Sequence, residues 1–338
     1  AYGDRSVMPH SNISIFIPHV GCPHMCAFCN QRTISGEQNI PHAEDVAEIC
    51  AQALNEVRDL SNAEIAFFGG SFTAIEKNYM LELLEAAKAF VGEGKFKGIW
   101  ISTRPDYIDE EILDILQSFG VTAIELGGQS MCDRVLEAND RGHTSKDVAY
   151  AAMLIKSRRC FELGLQMMVG LYKSTYQDEI KTWNRIASLE PDTVRIYPVV
   201  ILEDTRLGEL YKKGEYVPID FDTVVDLCAG FLEDADQRSI DVIKMGLHAS
   251  EIVEGQALGG FYHPAFRELC EGRIYLKKIT ALLGDCCRYA EVSVPEKNLS
   301  KALGHKKCNI EYFRRKGTDV KIVPDAAQTA SIKIIERR

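Results

Sequence analysis

The stretch Gly21-Cys22-Pro23-His24-Met25-Cys26-Ala27-Phe28-Cys29-Asn30 follows directly on the apolar run Ile13 to Ile17, where a first β-strand would end. Its three cysteines stand at C-x3-C-x2-C spacing. Most iron–sulphur motifs supply four cysteines, so three thiolates within eight residues would grip one face of a cubic cluster and leave the fourth iron open to a small molecule. Zinc also takes cysteine and histidine, and His24 lies inside the loop. A structural zinc site wants a second paired element, however, and no C-x2-C or H-x3–5-H partner stands out. The iron–sulphur reading is the better supplied; zinc and unligated thiols are the alternatives.

Outward from this loop, strand and helix alternate. Runs rich in β-branched or aromatic residues fall near 13–18, 63–68, 97–102, 121–126, 163–169 and 192–198. Amphipathic helix patterns lie near 43–58, 77–92, 109–118, 145–157, 176–188 and 221–236. Asp109 before Glu110-Glu111 is placed to cap a helix, and Ser174 with Gln177 has the form of a capping box. Six βα units imply parallel strands with right-handed crossovers. No glycine fingerprint G-x-G-x-x-G follows the first strand, so the expectation is an α/β fold: a partial (β/α)6 TIM-like barrel over residues 13–240, with chemistry on the loops after the strands. After about residue 240 the alternation fades into a Gly259-Gly260 turn, a mixed helix near 265–285 and β-like runs at 289–293, 320–323 and 331–335. This reads as a smaller C-terminal α+β extension, 241–338, covering the substrate.

Composition sets further bounds. The chain of 338 residues accommodates one large α/β domain plus a smaller one. No apolar run approaches the roughly 18 residues a membrane span needs. The N-terminus shows no signal pattern and begins with Ala1, so residues 1–12 read as a tail or expression remnant with Met8 as a candidate start. Eleven scattered cysteines without a signal pattern read as the reduced thiols of a cytoplasmic protein. A second cluster would draw on Cys270, Cys286, Cys287 and Cys308, although their wide spacing matches no known pattern and buried hydrophobe-like thiols are the plainer reading. Net charge is −10, which argues against bulk attraction to nucleic acid. Residues 301–338, with ten Lys and Arg against four Asp and Glu, carry a surplus of +6 and offer a basic tail.

Cys22-x3-Cys26-x2-Cys29 with Phe28 before the last cysteine resembles the signature of the radical S-adenosylmethionine (SAM) superfamily. Further runs narrow the likeness: Phe67-Phe68-Gly69-Gly70-Ser71-Phe72-Thr73, Ser102-Thr103-Arg104-Pro105-Asp106-Tyr107, Glu125-Leu126-Gly127-Gly128-Gln129-Ser130, Asn139-Asp140-Arg141-Gly142-His143-Thr144 and Arg195-Ile196-Tyr197-Pro198. Over about residues 13–217 the chain is similar to the radical-SAM domain of the Elongator catalytic subunit, and more distantly to oxygen-independent coproporphyrinogen oxidase.

The resemblance implies a [4Fe–4S] cluster on Cys22, Cys26 and Cys29, with the open iron chelated by the amino and carboxylate groups of SAM. It implies reductive cleavage of SAM to methionine and a 5′-deoxyadenosyl radical that takes hydrogen from a substrate. It also implies a flavodoxin- or ferredoxin-type electron donor, and it suggests RNA or tRNA as the substrate class. Gly69-Gly70 ends an apolar strand where two residues without Cβ let a main-chain carbonyl approach a ligand, as in the family's SAM amino-group site. Arg104 and Arg141 present planar forks to a carboxylate; Arg141, twelve residues after Gln129, falls where the coproporphyrinogen oxidase pattern has an arginine contacting SAM. Gln129 can serve a ribose hydroxyl as donor and acceptor. Gln166 is a polar residue in an apolar strand and is expected to face the lumen, as is Tyr197. Phe28 and Ser71 complete the expected cofactor set.

Departures from the family pattern matter as well. Ser102 stands where both families usually place an acidic residue, and Gly170-Leu171-Tyr172-Lys173 replaces a Gly-Leu-Pro-Gly run near the adenine. The sequence ends at Arg338 without an acetyltransferase domain, so acetyl-CoA-dependent tRNA modification is not carried over. His263-Pro264-Ala265-Phe266 and Gly304-His305-Lys306-Lys307-Cys308-Asn309 read equally as pocket lining or as structural turns, and His248 as a core histidine or a site residue. The competing class is a non-catalytic iron–sulphur or zinc module that contacts RNA through the basic tail. An intact Gly-Gly and Gln129 set disfavours it.

Overall fold

Side chains alternate across β1 (Ser11–Phe16), with Ile13 and Ile15 buried on one face and Asn12, Ser14 and Phe16 turned to the other. The computed structural model describes residues 11–17, 20, 22–23, 25–30, 34, 39–247, 251–284, 287–328 and 332–338. Gly21, His24, His248 and Cys286 lie outside the described residues. The two-sided pattern recurs in β2 (Ala63–Phe68), β3 (Gly98–Thr103), β4 (Val121–Gln129), β5 (Glu162–Val169) and β6 (Thr193–Pro198), which pair in parallel in chain order. Between them run α1 (Ala43–Glu56), α2 (Lys77–Lys88), α3 (Glu110–Ser118), α4 (Asp133–Ala138), α5 (Ser145–Arg158) and α6 (Tyr176–Ser188). Their apolar stripes bury residues such as Leu83, Leu113 and Ile155 against the sheet. Each such burial contributes about 1.5–3 kcal/mol.

Local signals fix the helix starts. Asp109 accepts from Ile112 N–H at 2.8 Å, as expected of a cap. The box expected at Ser174 and Gln177 is displaced by one residue. Thr175 and Asp178 form it, because the Ser174 N–H is taken by a turn to Leu171 O at 2.9 Å.

The chain continues through β7 (Val200–Leu202), α7 (Arg206–Lys212), α8 (Phe221–Arg238) and β8 (Asp241–Met245). β8 pairs in parallel with β6, so the sheet has seven strands, in the order β1-β2-β3-β4-β5-β6-β8. The sequence reading counts six barrel strands and ends the barrel at residue 240, leaving the strand-like Val242 to Leu247 in the extension. Lys244 interrupts the apolar run of β8, and no helical period follows Gly246 directly, so the βα signature that marked the other strands is missing. Residues of both sheet edges, Ser14 on β1 and Lys244 on β8, line one cavity. The sheet therefore curls into a partial, TIM-like barrel with a seam between β1 and β8. Ala66, Trp100 and Ala123, with Phe68 and Ile243 against them, fill its floor.

Beyond the barrel come α9 (Glu251–Gln256), β9 (Ala257–Gly260) and α10 (Phe266–Leu283), which packs on α8. Gly259-Gly260, expected as a turn, is strand: β9 pairs antiparallel with β7, and a Cβ at Gly260 would collide with the Val199 carbonyl. β10 (Tyr289–Pro295), α11 (Leu299–Leu303), α12 (Cys308–Arg315), β11 (Asp319–Asp325) and β12 (Lys333–Arg337) form a small α+β unit with strand order β11-β10-β12. Ile279, Leu283, Val292 and Phe313 make its separate core. Among the described residues no helix is long and apolar enough to cross a membrane.

Candidate active site

A cavity of about 500 Å³ opens at the C-terminal end of the curled sheet, a volume ordinary for a small-ligand site. Cys22, Cys26 and Cys29 line it from the loop after β1. That loop is pinned at Ala27, which is 1% exposed. The Ala27 N–H donates to Asn139 O at 3.1 Å, and the Ala27 carbonyl accepts from Leu207 N–H at 2.7 Å. Asn139 is itself fully buried: its side-chain amide donates to Val135 O and Tyr172 O and accepts from Tyr172 N–H. Among the described residues no three His, Cys, Asp or Glu side chains are drawn together about a common centre, so the loop delivers the thiols to the cavity without closing them on one another.

Gly69, Gly70 and Ser71 line the cavity next to this loop. Gly69 has φ +102°, a conformation that favours glycine. A Cβ on Gly70 would stand 2.8 Å from Ile17 O and nearer still to Val20 O, so only glycine admits this contact. Ser71 stands near the Cys22 thiol. Burial pushes that thiol's pKa up and Cys26 adds to the rise, while Arg141, Arg104 and Ser71 oppose it.

Arg141 bridges the two halves of the site. One terminal nitrogen donates to Cys26 Sγ at 3.2 Å, the other to Gly127 O at 2.6 Å, and its Nε is buried without a hydrogen-bond partner. Gln129 ends β4 with φ +61°, held there beside a register shift in the ladder to β5, and accepts from Gln166 Nε2 at 3.2 Å. A non-glycine residue in this conformation stores of order 1 kcal/mol of strain, which clusters at functional sites. Both glutamines, Phe28 and Ser102 line the cavity. Arg104 does not. Although buried, it is locked in a two-pronged pair with Asp106 (3.0 and 2.8 Å) and acts on the site only through its charge near Cys22. His143 donates from Nε2 to Gly128 O at 3.2 Å, and burial, with Arg141 nearby, pulls its pKa down to about 4, so the ring is neutral.

Sequence reasoning missed the polar group deeper in the lumen. Arg195 on β6 has its Nε 2.8 Å from Glu125 Oε2 on β4, off the N–H line and so an ion pair rather than a hydrogen bond. Its guanidinium lies 4.7 Å from the Phe68 ring centroid and 5.8 Å from that of Trp100. Ser102, where an acidic residue was expected, donates to Glu125 Oε1 at 2.9 Å, so the carboxylate stands one strand over. Tyr197 lines the lumen as expected. The available signal was a charged residue in the middle of each of two otherwise apolar strands.

Elsewhere, the Gly170-Leu171-Tyr172-Lys173 turn gives Lys173 a φ of +58°, the backbone that a glycine would take. Behind it Glu179, 2% exposed, accepts from Gly170 N–H at 2.8 Å, and burial raises its carboxyl pKa to about 7. His263 and His305 stack edge to face outside the cavity, 5.3 Å between ring centroids. Cys270 and Cys287 sit in different cores and Cys308 is exposed, so these three do not come together.

This arrangement, thiols and glycines at one end of a parallel barrel, meets a family-wide pattern: the sequence profile of the radical SAM superfamily matches residues 16–185, and that of a radical SAM C-terminal domain matches 191–276. The chain is a member of the radical SAM superfamily. An uncharacterised protein of Methanocaldococcus jannaschii is 30% identical over 232 residues, covering 63% of this chain and 69% of that one. The tRNA uridine(34) acetyltransferase of the same organism is 25% identical over 280 residues, 76% of this chain and 50% of the acetyltransferase, so the chain spans half that relative's length. The solved structure of archaeal Elp3 from Methanocaldococcus infernus superposes with a TM-score of 0.62 at 20% identity, covering 79% of this chain and 63% of that one, and so shares the fold. The radical SAM family implies an enzyme that uses an iron–sulphur cluster and SAM.

Proposed function

We propose that Cys22, Cys26 and Cys29 hold a [4Fe–4S] cluster, that the cavity beside them binds SAM, and that a substrate loses hydrogen at the barrel mouth. The observation that carries this reading is one cavity lined by three thiols, a glycine pair without room for a side chain, and Arg141, whose Nε is buried without a hydrogen-bond partner. A buried donor of this kind calls for an acceptor, and a SAM carboxylate suits it. Bound together, the two cofactors supply a one-electron reductive cleavage that gives methionine and a hydrogen-abstracting 5′-deoxyadenosyl radical. The chain's own residues do the rest. Arg141 donates to the Cys26 sulphur and holds the thiol loop against β4. Gly69 and Gly70 let main-chain carbonyls meet the SAM ammonium. The Gln129–Gln166 pair offers amide groups to a ribose. Phe28, Val200, Leu202 and Leu247 wall the cavity and exclude water.

A flavodoxin- or ferredoxin-type protein would supply the electron, and a reducing, cytoplasmic setting suits free thiols. The finer substrate reading is RNA, tRNA in particular. It is supported by likeness to the tRNA uridine(34) acetyltransferase and by exposed Lys306, Lys307, Arg314, Arg315 and Lys316 on the small domain. Anaerobic reconstitution should yield about four irons and four sulphides per chain, and dithionite with SAM should release 5′-deoxyadenosine on chromatography. A protein that takes up only zinc, or forms only S-adenosylhomocysteine, would overturn the reading. Mobility shift against tRNA over a salt series tests the RNA arm: phosphate-driven binding must weaken steeply with salt, and its absence at low salt would remove RNA.

A further inference from the structure

Arg195 and Lys244 are register partners on β6 and β8, and both line the cavity. Like charges directly across a ladder are destabilising, and here they share a half-enclosed chamber. Among the described residues the cavity wall carries three cations, Arg141, Arg195 and Lys244, against the single carboxylate of Glu125, in a chain whose net charge is −10. Two of the three are occupied. Arg141 serves Cys26 and Gly127 O, and Arg195 pairs with Glu125, whose other oxygen is taken by Ser102. Lys244 has no hydrogen-bond or ion-pair partner among the described residues. A half-buried ammonium held beside a second cation with no partner of its own is stabilised by an anion that joins it. Burial and the charge of Arg195 lower the pKa of Lys244, which agrees with that unmet demand.

We propose that Lys244 is the receptor for an acidic group, carboxylate or phosphate, carried by the substrate of this cavity. The inference rests on the reading of the cavity as the substrate chamber of a radical SAM enzyme. Arg195 is braced by Glu125, Phe68 and Trp100, so it supplies a fixed positive field while the ammonium of Lys244, on its flexible four-carbon stem, meets the ligand. A point-charge ammonium suits either anion.

The test is lysine acylation of the reconstituted holoenzyme with an acetylating ester, quantified peptide by peptide by mass spectrometry, with inorganic phosphate or propionate titrated at constant ionic strength. Saturable protection of Lys244 by at least fivefold, with exposed Lys306 unaffected, is the expected result. Protection by phosphate alone identifies a phosphorylated substrate, and by propionate alone a carboxylic acid. Equal labelling of Lys244 at all concentrations of both anions overturns the proposal. So does protection by SAM alone, or a tenfold loss of SAM affinity in Lys244→Gln, because Lys244 would then serve the cofactor. Loss of 5′-deoxyadenosine formation with anion protection intact would instead count against the radical reading and leave the anion site standing.

Discussion

Replacing Gly70 with alanine tests whether the close approach of the β2 end to the cysteine loop sets the site. The added Cβ would stand 2.8 Å from Ile17 O and closer to Val20 O. Ordinary carbon–oxygen contact begins at about 3.4 Å, so the two segments must part by about 0.6 Å at Ile17 and by more at Val20. Both carbonyls belong to the chain that leads into Cys22, and the neighbouring Ser71 N–H reaches Val20 O at 3.4 Å, so the displacement passes directly to the thiol loop. Overpacking of this kind costs about 1–3 kcal/mol of stability. A displacement of about 1 Å at a positioned reacting group costs on the order of 10²-fold in rate, or about 2.7 kcal/mol. Reconstituted Gly70→Ala should keep its fold by circular dichroism, and its SAM affinity by calorimetry and rate of 5′-deoxyadenosine release should both fall about a hundredfold. Gly92→Ala is the control: Gly92 has φ +129° but nothing within 4 Å of an added Cβ, so it should lose stability and leave SAM chemistry untouched. A folded Gly70→Ala protein with wild-type affinity and rate would refute the reasoning.

Arg141→Lys should lose at least tenfold in SAM affinity, nearly as much as Arg141→Ala, since an ammonium cannot reach Cys26 Sγ and Gly127 O together; calorimetry showing full rescue by lysine would mean that charge alone matters there. Asn139→Ala leaves the Tyr172 N–H and carbonyl unmet, at about 1–3 kcal/mol for each buried group that water cannot reach, while Val135 O keeps its bond from the backbone N–H of residue 139. Urea unfolding should register this loss, and iron uptake should slow because Ala27 loses a firm anchor. Glu179→Gln should change how stability varies with pH. The folded carboxyl titrates at about 7 against 4.5 when exposed, so its protonated form favours folding below 4.5 and that contribution disappears as pH rises through 7. Relative to wild type, the variant should therefore gain up to about 3 kcal/mol between pH 5 and pH 8 in thermal or denaturant melts; a flat difference would show that Glu179 is not strained by its burial.

Contiguity decided what could be read from the sequence. Cys22 to Cys29, Gly69-Gly70 and Gln129 announce themselves within short runs, and helices such as α6 and α8 carry clear periods with capping residues. The Glu125–Arg195 pair joins strands far apart in sequence, and no local pattern says that two charged residues in apolar strands will meet. Arg104 and Arg141 look alike as isolated arginines; only the fold reveals that Asp106 claims one while the other reaches a thiol. Val242 to Leu247 reads as strand-like, but its place in the barrel escaped because the signal is brief and carries the very lysine that faces the lumen.

The anchoring of Ala27 has a consequence for biosynthesis. Its two partners, Asn139 and Leu207, lie 112 and 180 residues further along the chain. At about 5–20 residues per second the second anchor is made roughly ten to forty seconds after the cysteines. For that interval the thiols are an unshaped, oxidisable peptide. If these thiols hold a cluster as proposed, its loading waits until both anchors are made, and a cell short of reducing power would oxidise the thiols within that interval.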